Sequence, residues 1–196
     1  MSVLTERIPT TFTTRTARRL GVHPRDLYRW RDTGVVVELS RGVFRRSDAP
    51  PASYPDALAV AYRSPRAVLC CVSAAVVHDL TDEMPAAVQI ALPRRSHVPS
   101  IDHPPVEVLR FDESHFGVGQ STFEAAPSES VKVYDPPRTV VDLIRLRHRF
   151  GEPIAYGALH RYLRSPGGGP RLLLDRADEL GVLEPVRAAV DVASAR

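Results

Sequence analysis

Lysine is all but missing from this chain. Of its 26 basic residues only Lys132 is lysine. That bias is read as a property of the source genome, yet it excludes a chemistry. A PD-(D/E)xK nuclease needs an acid two residues before a lysine, and position 130 is Ser130. Cysteine is nearly as scarce. Cys70 and Cys71 are neighbours, a spacing that rarely closes an intrachain bridge and does not match the gap between zinc-binding thiols. Reduced, buried thiols in a cytoplasmic protein are the expectation. Long apolar runs are missing too. No window approaches the roughly 18–20 residues of a membrane span, and Met1 to Thr10 lacks the apolar stretch of a secretion signal. The Gly-Ser with paired aspartates by which nucleotidyltransferases hold magnesium is absent. Ser73, His78 and Asp79 have no Gly-x-Ser-x-Gly context. No catalytic residue, metal or cofactor is therefore expected, and no membrane partner.

What is present is charge at one end. The 196 residues are 43% hydrophobic, enough for a sizeable core, and carry a net +3. Residues 1–47 hold ten arginines against four acids, whereas the remainder holds 16 basic and 19 acidic residues. A basic first quarter on a mildly acidic body suggests a polyanionic partner met at one end.

The run Ser47-Asp48-Ala49-Pro50-Pro51-Ala52-Ser53-Tyr54-Pro55 interrupts any helix or central strand. It divides the chain into a head, residues 1–47, a linker, 48–55, and a body, 56–196. The fold class expected is α+β: an N-terminal winged helix-turn-helix, then a mixed α/β C-terminal domain with a small sheet and a helical end. In the head, Thr14 is read as the cap of a short helix over Arg15 to Leu20, with Ala17 and Leu20 on one face. Gly21 ends it. Pro24 and Asp26 open a second helix that runs to about Thr33 and stops at Gly34. Val35 to Leu39 and Val43 to Arg45, joined through Ser40-Arg41-Gly42, read as a hairpin, the wing. In the body, helices are expected over 55–62, 73–80, 140–150, 153–164, 171–180 and 183–193, and strands over 88–92, 106–111, 121–125 and 130–134.

The second helix carries the functional expectation. At 100° steps, Leu27 and Trp30 form a buried stripe, and Arg25, Arg29, Asp32 and Tyr28 lie opposite. A major groove admits one helix, and arginine can make paired bonds to guanine O6 and N7. Arg25 and Arg29 are the base-reading candidates, with Tyr28 on a base methyl or a phosphate. Arg15, Arg18 and Arg19 on the first helix suit backbone phosphates. Arg41, Arg45 and Arg46 on the wing suit an adjacent phosphate run or the minor groove. The blander alternative, a solvated arginine face, is outweighed by the turn chemistry, the hairpin and the segregated charge. Trp30 is read as a core anchor and His23 as a helix-start residue.

Several runs resemble AbiEi-type antitoxins: Thr14-x-x-Ala17-x-x-Leu20-Gly21-Val22, the Gly34 to Phe44 hairpin, and Ser73-Ala74-Ala75-x-x-His78-Asp79-Leu80. The most specific is Val133-Tyr134-Asp135-Pro136-Pro137-Arg138-Thr139-Val140-Val141-Asp142-Leu143, followed by Arg145-Leu146-Arg147 and Phe150-Gly151. The resemblance implies a winged head that binds double-stranded DNA in its own promoter, giving negative autoregulation. It also implies a body that counteracts a cognate nucleotidyltransferase-like toxin, AbiEii, directly or functionally. Carried over, DNA contact falls on Arg15, Arg18, Arg19, Arg25, Tyr28, Arg29 and Arg41. Arg138, Arg145 and Arg147 come into question for neutralisation, but a solvated or structural role fits each better. Unlike the common pattern, this head has little room for a helix before Thr14, and Thr5 to Ile8 is read as a shortened one. The alternative function is a ligand-responsive winged-helix transcription factor without a toxin partner.

Overall fold

The structure, a computed structural model, describes residues 7–194. Its first sheet has three strands in the order β1-β3-β2, with β1 at Thr11–Thr13, β2 at Val36–Ser40 and β3 at Val43–Arg46. All pairings are antiparallel. Between β1 and β2 lie α1 (Thr14–Arg19) and α2 (Pro24–Asp32). This is the expected winged helix-turn-helix with one strand added.

The local chemistry explains the boundaries. Thr13, not Thr14, caps α1, its hydroxyl accepting from the Thr16 N–H at 3.2 Å. Thr14 turns instead toward the wing, where its N–H donates to the Gly42 carbonyl at 2.9 Å. Leu20, expected on the buried face, is exposed at the end of α1, and Val22 enters the core in its place. His23 opens α2 with its Nδ1 accepting from the Arg25 N–H, and Pro24 fills the first position, where no N–H is needed. Gly34 follows the helix at φ +73° and Gly42 turns the hairpin at φ +76°, conformations that favour glycine. Of the shortened first helix expected over Thr5 to Ile8, Thr5 and Glu6 lie outside the described residues, and Arg7 and Ile8 are turn and bend. The head core gathers Ile8, Phe12, Ala17, Val22, Leu27, Val36 and Phe44, with Trp30 packed against it. The Phe12 and Phe44 rings stack at 5.9 Å.

The body's first helix is α3 (Pro55–Arg63), where a helix was expected over 55–62. A five-stranded sheet follows in the order β6-β5-β4-β8-β7, built from β4 (Val68–Leu69), β5 (Val88–Pro93), β6 (Val106–Phe111), β7 (Gln120–Ala126) and β8 (Glu129–Tyr134). The strands alternate faces as their period of two requires. Leu69, Ile90, Leu92 and Val133 pack with α3, while Val68, Ala91, Leu109, Phe111 and Tyr134 face the larger core. That core is built on α4 (Cys71–Val77), α6 (Pro136–Arg145), α8 (Glu152–Arg164), α9 (Pro170–Glu179) and α10 (Leu183–Ser194), with the short α5 (Glu113–Phe116) and α7 (Arg147–Phe150) beside them. The helix expected over 140–150 starts earlier, at Pro136, under an Asp135 cap that accepts from the Arg138 N–H, and breaks at Leu146.

Head and body are packed together. Leu39 of β2 joins an apolar cluster with Leu58, Ala61 and Tyr62 of α3 and with Ala125, Ala126 and Val131. The Pro-rich connection is part of this seam: Ala52 and Tyr54 pack into the same cluster, and the Tyr54 N–H donates to the Ala125 carbonyl at 3.0 Å. No helix among the described residues is long and apolar enough to cross a membrane.

Candidate nucleic-acid interface

The helix pair presents arginine outward because its apolar residues are spent inward. On α1, Ala17 is fully buried and Arg15, Arg18 and Arg19 are exposed on the other side. On α2, Leu27 is buried, Trp30 half-buried, and Arg25, Tyr28 and Arg29 are exposed. Among the described residues no carboxylate pairs with Arg15, Arg18, Arg19, Arg25 or Arg41. Arg29 is held differently: its guanidinium donates to Asp26 Oδ1 at 2.8 Å while its side chain stays 67% exposed. Arg31, further along α2, pairs with Asp32 and with Glu38 of β2 and lies 5.1 Å over the Tyr28 ring. Those carboxylates raise its pKa above the ordinary arginine value.

The wing turn lies against the start of α1 rather than projecting freely. Glu38 accepts from the Gly42 N–H at 2.9 Å and so closes the turn. A Cβ at Gly42 would meet the Thr14 hydroxyl at 3.1 Å. Arg41 is exposed there, and Arg63 from α3 reaches its carbonyl at 3.1 Å. Sequence reasoning missed this approach of the body, because nothing in the spacing of positions 41 and 63 announces it.

The three wing arginines part company. Arg45 was expected on the DNA-facing wing, and its position corrects that expectation. It is 6% exposed, donates to the Thr11 hydroxyl and the Pro50 carbonyl at 2.7 Å each, and is ion-paired with Glu129 of β8. Strand parity is the cause. Phe44 fills the head core, so Arg45 must point to the opposite face, which α3 and the β7–β8 turn cover. Glu129 also accepts from Thr11 at 3.2 Å, and Tyr62 stands 3.4 Å away. Burial, then the Glu129 charge, pushes the Tyr62 hydroxyl above its ordinary pKa. Arg46 is half-buried and doubly bonded to Asp48 at 2.7 and 2.9 Å. Arg41 alone of the three is exposed.

In the body, Arg138 is 1% exposed. Its Nε donates to Asp142 at 2.8 Å, and one terminal nitrogen donates to the His115 and Val118 carbonyls. Arg145 donates to the second Asp142 oxygen at 2.8 Å. The two arginines thus engage both oxygens of the buried Asp142 side chain. Cys70 and Cys71 are buried free thiols, as expected, and burial pushes the Cys70 thiol well up. Among the described residues no group of three or more His, Cys, Asp or Glu side chains is placed to hold a metal ion.

Fold and site together define a winged helix-turn-helix protein with a large α/β body. Residues 4–47 match the family model described as "Transcriptional regulator, AbiEi antitoxin"; of the runs that resemble that family, those at 14–22 and 34–44 lie within the match and those at 73–80 and 133–151 lie outside it. No curated protein matches the chain by sequence. Among solved structures, the crystal structure of the Rv2827c protein from Mycobacterium tuberculosis superposes with a TM-score of 0.57 at 17% identity, covering 96% of this chain and 78% of that one. The likeness is one of fold.

Proposed function

We propose that this protein is a DNA-binding antitoxin. Residues 1–47 act as the operator-binding head and residues 56–196 as the body that counteracts a nucleotidyltransferase-like AbiEii-type toxin. The head binds the protein's own promoter and represses it, and no reaction is catalysed. The observation that carries this reading is the exposed arginine set of α1 and α2, which lies within the segment that matches the AbiEi regulator family. Arg25 and Arg29 read bases, Arg15, Arg18 and Arg19 hold phosphates, and Arg41 follows the neighbouring backbone. Tyr28, exposed on α2, contacts a base methyl or a phosphate. Arg46, half-buried and bonded to Asp48, stays at the margin of the contact.

The test is a titration of the full chain against duplex DNA taken from immediately upstream of its own reading frame, repeated over a range of salt. Each phosphate neutralised steepens the fall of log affinity with log salt by about 0.9, so a steep salt dependence is expected, with tighter binding than to a scrambled duplex. Equal binding to both duplexes would overturn autoregulation. Co-expression with the neighbouring gene's product tests the antitoxin half. A nucleotidyltransferase-like product that arrests growth alone, but not together with this chain, is the expected result.

A further inference from the structure

Asp26 has no role in the scheme just given, and its position is costly. An exposed carboxylate on a DNA-facing helix repels phosphates and weakens binding to any sequence. A negative charge does stabilise a helix start, but the geometry gives Asp26 a second task. It stands in the first turn of α2, with its side chain 43% exposed, and its Oδ1 accepts from Arg29 at 2.8 Å. At about 100° per residue, positions 26 and 29 are separated by roughly 60° around the helix. Arg29 lies about 160° from buried Leu27, and Asp26 lies on the shoulder between Arg29 and the half-buried Trp30. The bond engages one terminal nitrogen of Arg29, whose side chain stays 67% exposed. It occupies only one carboxylate oxygen; Oδ2 accepts no hydrogen bond from the described residues. Arg25, one residue before Asp26, has no such tether.

Resting on the DNA-binding reading, we propose that Asp26 and Arg29 act as one reader of a guanine·cytosine step. Arg29, oriented by Asp26, donates to guanine O6 and N7, and Asp26 Oδ2 accepts from a cytosine N4 amine. Asp26 then serves discrimination more than affinity, because its charge also repels the acceptor-rich edges of wrong bases. Removing it has a signature that a phosphate-binding arginine cannot give: non-specific binding tightens while sequence preference falls.

The probe is a pool of duplexes with a randomised centre, enriched on the full wild-type chain. Affinities are then measured for the enriched duplex and for a scrambled duplex of the same composition. In Asp26→Asn the ratio of the two is expected to fall about tenfold, with tighter binding to the scrambled duplex and loss of preference at one G·C pair. Arg29→Lys should lose preference at that same pair, and the double variant should lose nothing more. Asp26→Glu keeps the charge at the helix start but displaces the carboxylate, so it should lose the preference too. If Asp26→Asn or Asp26→Glu keeps the wild-type preference, the paired reader is overturned and the DNA-binding function stands. If the wild-type chain enriches no sequence, operator reading itself is overturned, and this inference with it.

Discussion

Arg25 and Arg138 are the same side chain in opposite circumstances. Arg25 lies in the first turn of a short helix, is exposed and has no ion-pair partner among the described residues. Arg138 also lies in the first turn of a helix, yet it is enclosed by the Phe111 and Tyr134 rings, 5.2 and 4.2 Å from its guanidinium carbon, with Asp142 one turn on. The desolvation that would make a lone buried cation intolerable is offset there by a carboxylate, two carbonyls and two ring faces. Arg45 repeats the buried solution at the seam between head and body. The difference teaches which arginines are available to a polyanion: those the fold leaves in water, whether without an ion pair among the described residues, as Arg25, or held by one bond and still 67% exposed, as Arg29.

The comparison breaks most easily at the buried end. Arg138→Ala leaves Asp142 fully buried with Arg145 as its remaining partner and strips the His115 and Val118 carbonyls of a donor. A loss of about 3–5 kcal/mol is expected, read from the denaturant midpoint. Gly119 makes this site unforgiving: at φ +71°, a Cβ there would come within 2.7 Å of the Arg138 Cβ. Glu129→Gln should cost less, about 1–3 kcal/mol, because Glu129 keeps 13% exposure and the amide still bonds to Arg45 and Thr11. An unchanged midpoint in Glu129→Gln would contradict the view that this carboxylate seals the inner face of the wing.

The outward set should behave in the reverse sense. Arg25→Ala should shift stability by no more than about 0.5 kcal/mol while costing about 1–3 kcal/mol of specific DNA binding. Arg18→Ala should weaken specific and scrambled duplexes alike and reduce the salt slope by about one phosphate's worth. Should Arg25→Ala instead melt early with DNA affinity intact, the division between the two classes of arginine collapses.

Much of the head was legible because its punctuation is chemical. Gly21, Pro24, Gly34 and Gly42 mark the ends and the turn, and each lies where its backbone preference is used. β1 was not legible. Three residues carry too little alternation to signal a strand, and the pairing of Thr11 with Arg45 is non-local. β4, with two residues, and α5, with four, fail for the same reason. In the candidate site, periodicity separated the buried from the exposed side of α2, since one helix suffices to define its faces. It failed at Arg45, where strand parity gives two faces but not which of them a distant segment will cover. Asp26 carried a signal, an acid three residues before an arginine on a helix, but the sequence was read only for its charge at the helix start.

The smallest expected effect concerns the seam between α4 and β8. The His78 ring lies beyond the end of α4, with Nε2 2.7 Å from the Tyr134 carbonyl, and burial lowers its pKa below the ordinary 6.5, against the opposing pull of that carbonyl and of Asp135 and Asp79. The folded protein therefore binds this proton less readily than the unfolded chain does. As pH falls below about 6.5, the unfolded state gains the proton first, and stability declines until the pH reaches the lower folded pKa. His78→Gln keeps an N–H donor for Tyr134 and cannot take up the proton, so its stability should fall less over that interval. The difference can grow by no more than about 1.4 kcal/mol per pH unit, the limit for one proton. The other histidines are shared by both proteins and cancel in the comparison. Parallel stability curves from pH 7 downward would show that the ring titrates as it does in water, and that the α4–β8 seam is open to solvent in a way the buried Arg138 cluster beside it is not.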